Sequence, residues 1–485
     1  MIKIRLANQT MNKTIFLSAI AILFVRFTAD ADNWSHWRGP TGNGVATNAS
    51  PPTEWSDTKN VKWKVAIPGR GSGSPIIWED KVFVVTGVSE GGDQQQSQPP
   101  GGRAQRGGDR NQRGSGRAQG GGNRTQRGGR GQGGGRSQGG QGRGRGGGRG
   151  TAPTKTQFIV MCFDRETGKQ LWKKTATETT PHQGVHGTNN FASASPCTDG
   201  EHVYAFFGSR GLYCYTMDGE LKWKRDDFGK METRNGFGEG SSPTLADDKI
   251  IVPWDHEGQS YVYALDKSTG DTVWKTSRDE PTNWSTPLIV DHEGKKQIVL
   301  NGQNKARAYD LESGKEIWNC GGQTQRPCAS AVADNGLVIV GSGYQGSFLG
   351  AFKLDGKGDI EGTDSVAWSI NRDTPDVASP LLSNGRVYFY KAKTGIISCL
   401  DASTGKPFYT ASRVDGIKST YASPVAANGH VYLTGRSGTT VVIKDADKLQ
   451  VVATNSVGET VDATPAPVDD ELFIRGEKHL FCIAE

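Results

Sequence analysis

The side chains best equipped for chemistry in this 485-residue chain fall in short polar loops. His182 and His186 stand four apart, the spacing that offers two imidazoles to zinc from one helix face. Pro181, Gly184 and Gly187 break any helix there, and no glutamate follows His182, so the pair is read as loop histidines and not as a metal site. Arg234, Asn235 and Glu239 could orient a carbonyl or a sugar hydroxyl. Asp373 and Asp376 form an acid pair that serves equally well to cap a turn. Arg70, Asn189, Asn190, Arg326, Lys418 and Asp462 occupy similar loops, joined by the aromatic rings of Trp284 and Tyr421. No serine is singled out as a nucleophile, because its motif recurs.

That recurrence defines the elements. A small hydroxyl residue, usually followed by proline, precedes a β-rich run at Ser74, Ser195, Ser242, Thr286, Ser330, Ser379, Ser423 and Thr464. The spacings are 121, 47, 44, 44, 49, 44 and 41, and the first falls to 58 once a 63-residue insert is set aside. Eight units of this length indicate a propeller or solenoid. The third unit reads as four strands: one from Thr244, then Lys249 to Trp254, Ser260 to Asp266 and Thr272 to Lys275. No segment shows sustained helical periodicity. The expected fold is all-β, an eight-bladed β-propeller of four-stranded antiparallel blades.

A second signature closes most units: a small residue, x, Asp, two residues, Thr or Ser, Gly, three residues, Trp. It runs from Cys162 to Trp172, Ala264 to Trp274 and Ala308 to Trp318, with a shorter form from Cys214 to Trp223 and Tyr409 replacing Trp after Cys399. Glycine permits positive φ in the turn, Asp and Thr bond its backbone, and the ring wedges between blades. Trp63, Trp172, Trp223, Trp274, Trp318, Trp368 and Tyr409 are therefore read as docking rings. Cys162, Cys214, Cys399 and Cys482 take the small-residue place as buried hydrophobes. Cys320 and Cys328 remain as a candidate disulfide across a Gly-rich loop. Val61 to Val65 resembles the fourth strands, so the N-terminal segment is expected to complete blade eight and close the ring.

The formal charge of +6 is unevenly spread. Residues 1–31 carry +3 and residues 91–153, with twelve Arg against Asp93 and Asp109, carry +10, which leaves the propeller body at −7. Lys3, Arg5 and Lys13, the apolar run Ile15 to Val25 and Ala29-Asp30-Ala31 read as a signal peptide cut near Ala31, with Met11 as an alternative start. The product is expected in the periplasm or secreted, not integral to a membrane. Residues 91–153 are Gly, Arg, Gln and Ser with few apolar groups, and are expected to be disordered. In an exported protein this insert suits a solvated spacer or electrostatic attachment to an anionic polymer or membrane surface, and nucleic acid is not an expected partner.

Strand order fixes where a site could lie. The fourth-to-first and second-to-third loops share one face, so the segments before each hydroxyl-Pro motif should ring the channel mouth. They hold Arg70, His182, His186, Asn189, Asn190, Arg234, Asn235, Glu239, Trp284, Arg326, Asp373, Asp376, Lys418, Tyr421 and Asp462. The insert, between strands two and three of blade one, leaves from the same face. Such a rim suits an envelope protein, a glycan or a small polar ligand.

The Trp-bearing signature resembles the docking repeat of pyrroloquinoline-quinone (PQQ) propellers. The whole chain from residue 32, insert excepted, is similar to exported PQQ-like repeat proteins related to the outer-membrane assembly factor BamB. The resemblance implies two alternatives to a non-enzymatic binding scaffold: a PQQ- and calcium-dependent oxidoreductase, or an outer-membrane assembly scaffold. Active quinoprotein alcohol dehydrogenases carry adjacent cysteines and their haem-bearing relatives Cys-x-x-Cys-His, both absent here. BamB proteins are lipoproteins, and no cysteine stands near the expected cleavage site. No cofactor is expected on the first reading.

Overall fold

Apolar runs of four to six residues, separated by Asp, Asn and Gly, form strands that one sheet cannot bury by itself; stacking sheet on sheet covers both faces. The computed structural model describes residues 33–91 and 153–485. The expected signal peptide and nearly all of the insert lie outside them. Eight antiparallel four-stranded blades follow in chain order and form the propeller. Blade three shows the plan: Thr244–Ala246, Lys249–Trp254, Ser260–Asp266 and Thr272–Arg278 pair in that order. The fourth strand runs beyond the expected Lys275 because Thr276 and Arg278 keep pairing with Val262 and Ser260. The second strand is wholly buried and the fourth alternates toward solvent, as an outermost strand must.

Two features close the circle. Val61–Ala66 pairs antiparallel with His479–Ile483, so blade eight takes its outer strand from the N-terminal region. The recurring hydroxyls then form a closed relay around the axis. The backbone N–H of Ser74 donates to Ser195 Oγ (2.8 Å), Ser195 to Ser242 (2.9 Å), and Ser242 to Thr286 (3.1 Å). Thr286 donates to Ser330, Ser330 to Ser379 and Ser379 to Ser423 at 2.8–2.9 Å. Ser423 donates to Thr464 (3.1 Å), and Thr464 returns to Ser74 Oγ (3.0 Å). A hydroxyl recurs in every unit because each one caps the buried N–H of the blade before it.

The docking rings work between blades. Trp63, Trp172, Trp223, Trp274 and Trp368 each donate Nε1–H to a turn carbonyl of the next blade, at Arg165, Met217, Lys267, Leu311 and Ala402. Each ring lies over the glycine of that turn. At Gly270 (φ +80°) a Cβ would stand 2.7 Å from the Trp223 ring. Trp318 Nε1 and Tyr409 Oη are buried without partners among the described residues. Their next blades, five and seven, lack the Asp-x-x-Thr-Gly turn that would accept them. Across the strands, Cys162, Cys214, Cys399 and Cys482 face Trp172, Trp223, Tyr409 and Trp63, where a larger side chain would collide with the ring.

Cys320 and Cys328 are free thiols, which corrects the expected bridge. Cys320 ends a blade-four strand opposite Ala306, packed with Trp318 and Ile360 between blades four and five, whereas Cys328 borders the channel-mouth cavity. Their sulfurs serve different compartments.

Residues 34–50 make an excursion that periodicity does not predict. Trp34 bridges Ile77 of blade one and His36 reaches Thr244 of blade three. Arg38 donates to the carbonyls of Pro380 (2.5 Å) and Pro424 (2.8 Å), in blades six and seven. Asn43 bonds Ala333 of blade five, and Val45–Ala46 pairs in parallel with Ala426 and Ala427. The segment crosses the channel on the strand side of the hydroxyl relay and stoppers it. Among the described residues no helix is long and apolar enough to cross a membrane.

Candidate functional site

Above this stopper lies a cavity of about 380 Å³ at the loop face. Its walls include seven of the eight relay residues, all but Ser379, and Trp37 of the N-terminal segment lines it as a floor. Seven of the fifteen residues expected at the rim line it: His186, Asn189, Trp284, Arg326, Asp376, Tyr421 and Asp462.

Short-range geometry ties them together. His186 Nδ1 meets Thr188 Oγ1 at 2.9 Å, and Thr188 Oγ1 meets Tyr421 Oη at 2.9 Å. Arg436 lies over the Tyr421 ring (4.2 Å) and forks onto Asp462 at 2.6 and 2.9 Å. Lys393 faces Asp376 at 3.4 Å. Arg326, at φ +53°, stacks on Tyr344 (3.6 Å) and near Phe237 (5.2 Å). Burial, then the charges of Lys393, Arg326 and Arg436, hold His186 below its ordinary range, so it is a neutral acceptor or donor at pH 7. Burial pulls the Lys393 ammonium down, but Asp376, Tyr421 and Cys328 together outweigh that and leave it raised. Burial and then Asp376 push the Cys328 thiol up to about 12, so it is no nucleophile.

The other expected residues are placed elsewhere. Asn190 and Glu239 line a small neighbouring cavity of about 30 Å³. There Glu239 pairs with Arg210 (2.8 Å), and Asn190 donates to Ser72 Oγ. His182 bonds the Met231 carbonyl at 2.7 Å. Arg70 pairs through its backbone with Gly87, and Asp373 is held by Lys391 at 2.7 Å. Arg234, Asn235 and Lys418 are exposed and line neither cavity. Sequence reasoning missed Tyr344, Lys393 and Arg436, which all sit in second-to-third turns. Those turns share the loop face, so pooling them with the fourth-to-first loops would have found all three. Trp37 carried a weaker signal, the Trp34-Ser35-His36-Trp37-Arg38 cluster ahead of the first unit.

Calcium and PQQ can be tested against these residues. Among the described residues no three His, Cys, Asp or Glu side chains gather as a metal cage. The amide oxygens of Asn189 and Asn190 already accept N–H bonds from Asn190 and Ala192, and the pocket carboxylates face Lys393 and Arg436. The set does not fit a calcium-bound quinone.

Fold and pocket together define a PQQ-like, quinoprotein-type propeller with a polar, aromatic channel mouth. The family model described as "Outer membrane protein assembly factor BamB" matches residues 156–411, more than half of the chain, and the chain belongs to that family. It is 23% identical over 333 residues to Outer membrane protein assembly factor BamB of Yersinia pestis, a match covering 65% of this chain and 77% of that protein. It is 24% identical over 305 residues to Quinoprotein ethanol dehydrogenase of Pseudomonas aeruginosa, covering 53% of this chain and only 44% of the enzyme. The solved structure of a europium-containing methanol dehydrogenase superposes with a TM-score of 0.55 at 10% identity, covering 92% of this chain and 90% of that one, a likeness of fold alone.

Proposed function

We propose that this chain is an exported binding scaffold whose channel-mouth pocket holds a polar ligand or a polar loop of an envelope partner. The observation that carries the reading is the lining itself. Charged groups and aromatic rings from six blades converge on one cavity, and its carboxylates are already paired with cations. That composition suits recognition of a polar group. Membership of the BamB family favours a partner in outer-membrane protein assembly, and the likeness to dehydrogenases supplies the rival reading, oxidation with PQQ and calcium.

Two assays separate them. Affinity capture from an envelope extract should recover a partner with the full chain and lose it with Trp284→Ala/Tyr421→Ala. Reconstitution with PQQ and calcium should give no dye-linked dehydrogenase turnover. Cofactor-dependent turnover across an alcohol panel would establish the rival.

A further inference from the structure

Arg326 and Lys393 line the pocket with the carboxylates Asp376 and Asp462, and Arg436 adjoins it over the Tyr421 ring. Asp376 faces Lys393 at 3.4 Å and Asp462 is forked by Arg436. Arg326 is left over. Its guanidinium rests on Tyr344 and makes no ion pair among the described residues. With His186 neutral, the site carries one uncompensated positive charge, which suits a monoanion. A planar guanidinium matches a carboxylate by two parallel N–H···O bonds.

The polar inventory then narrows the rest of the ligand. Each of the seven relay hydroxyls on the wall spends a lone pair on a neighbouring N–H, and its own O–H stays available to a ligand oxygen. Trp37 Nε1–H is buried at the floor with no acceptor. Asp376 and Asp462 keep lone pairs that can accept hydroxyl protons. Donors and acceptors therefore share one small space, which suits a polyhydroxylated ring better than a plain organic acid. The rings of Tyr344 and Tyr421 are covered by Arg326 and Arg436, whereas the indole of Trp284 is half-buried on the wall and offers a C–H-binding surface. A cavity near the lower end of the roughly 300–1,000 Å³ range for ligand sites takes one or two such rings.

We infer that the ligand is a carboxylated sugar: a hexuronate whose carboxylate docks on Arg326, whose hydroxyls bond the relay and the two aspartates, and whose apolar ring face lies on Trp284. This narrows the binding-scaffold reading and rests on it.

Isothermal titration of the full chain with D-glucuronate, D-glucose and benzoate tests it. Glucuronate should bind at least about tenfold tighter than either control. Arg326→Met should weaken it by about ten- to a hundredfold, the range for losing a charge-assisted bond, at unchanged melting temperature. Should that variant unfold, Arg326→Lys should fold and bind glucuronate with intermediate affinity. Equal binding of glucose would overturn the anionic part, and equal binding of benzoate the sugar part. No binding of glucuronate would overturn the inference as a whole. Capture that still depends on Trp284 and Tyr421 would in that case leave the parent reading standing, whereas loss of both results would remove it.

Discussion

Two histidines beside the axis are held neutral by their surroundings, and this has a measurable consequence. Burial and then Arg38 lower His36 to about 3, while its ring bonds Thr244 Oγ1 and the Arg38 N–H. His186 is depressed for similar reasons. The unfolded chain binds a proton at each near pH 6.5 and the folded chain does not. Their contribution to stability is therefore complete above that pH and drains away as pH falls below it, for His36 down to about 3. The turn aspartates Asp164, Asp266, Asp310 and Asp401 are depressed by Thr and Ser hydroxyls and by backbone N–H groups, so they act in the same direction but only below about pH 4. Urea midpoints should thus fall between pH 6.5 and 4.5, and His36→Gln should flatten most of that slope. An unchanged slope in the variant would show that His36 titrates normally. Residues of this kind were only half legible beforehand. His186 announced itself by its place before Ser195, but His36 lies in a segment with no repeat to index it, and its burial comes from partners in distant blades.

At the scale of the element, the Asp-x-x-Thr-Gly turn and its ring could be read from sequence because each local part has a single physical task. Gly270 and Gly294 separate two of these tasks. Both have positive φ (+80° and +76°), yet a Cβ at Gly270 meets the Trp223 ring at 2.7 Å and at Gly294 meets nothing within 4 Å. Gly294→Ala should cost about 1 kcal/mol through conformation alone. Gly270→Ala should cost about 1–3 kcal/mol more through collision with the indole. Equal costs in chemical denaturation would mean that the ring does not dock there. The elements that sequence reasoning lost are the irregular ones. Val45–Ala46 has only two residues and no alternation of its own, and its pairing with Ala426 and Ala427 is set by the channel it crosses. The Cys320–Cys328 pairing failed for a related reason. Proximity in a Gly-rich loop says nothing about which compartment each sulfur enters.

For the molecule as a whole, the fold was legible and the pocket partly so: blade number follows from counting motifs, whereas the cavity depends on side chains from many loops meeting at one axis. The second and third strands of blade one pair out to Ser89 and Thr156, and the Glu90 N–H donates to the Lys155 carbonyl at 2.8 Å. Replacing residues 92–152 by a short Gly-Ser turn should leave the melting temperature within about 2 °C, since loop length alone costs little. It should also weaken retention on an anionic matrix. A large drop in melting temperature would make the insert part of the fold. The central claim, that binding occurs at the channel mouth, is tested most directly by hydrogen–deuterium exchange on the captured complex. Protection is predicted in the loops carrying His186, Trp284, Arg326 and Tyr421. Protection confined to the outer fourth strands, or to the first-to-second turns on the opposite face, would contradict it.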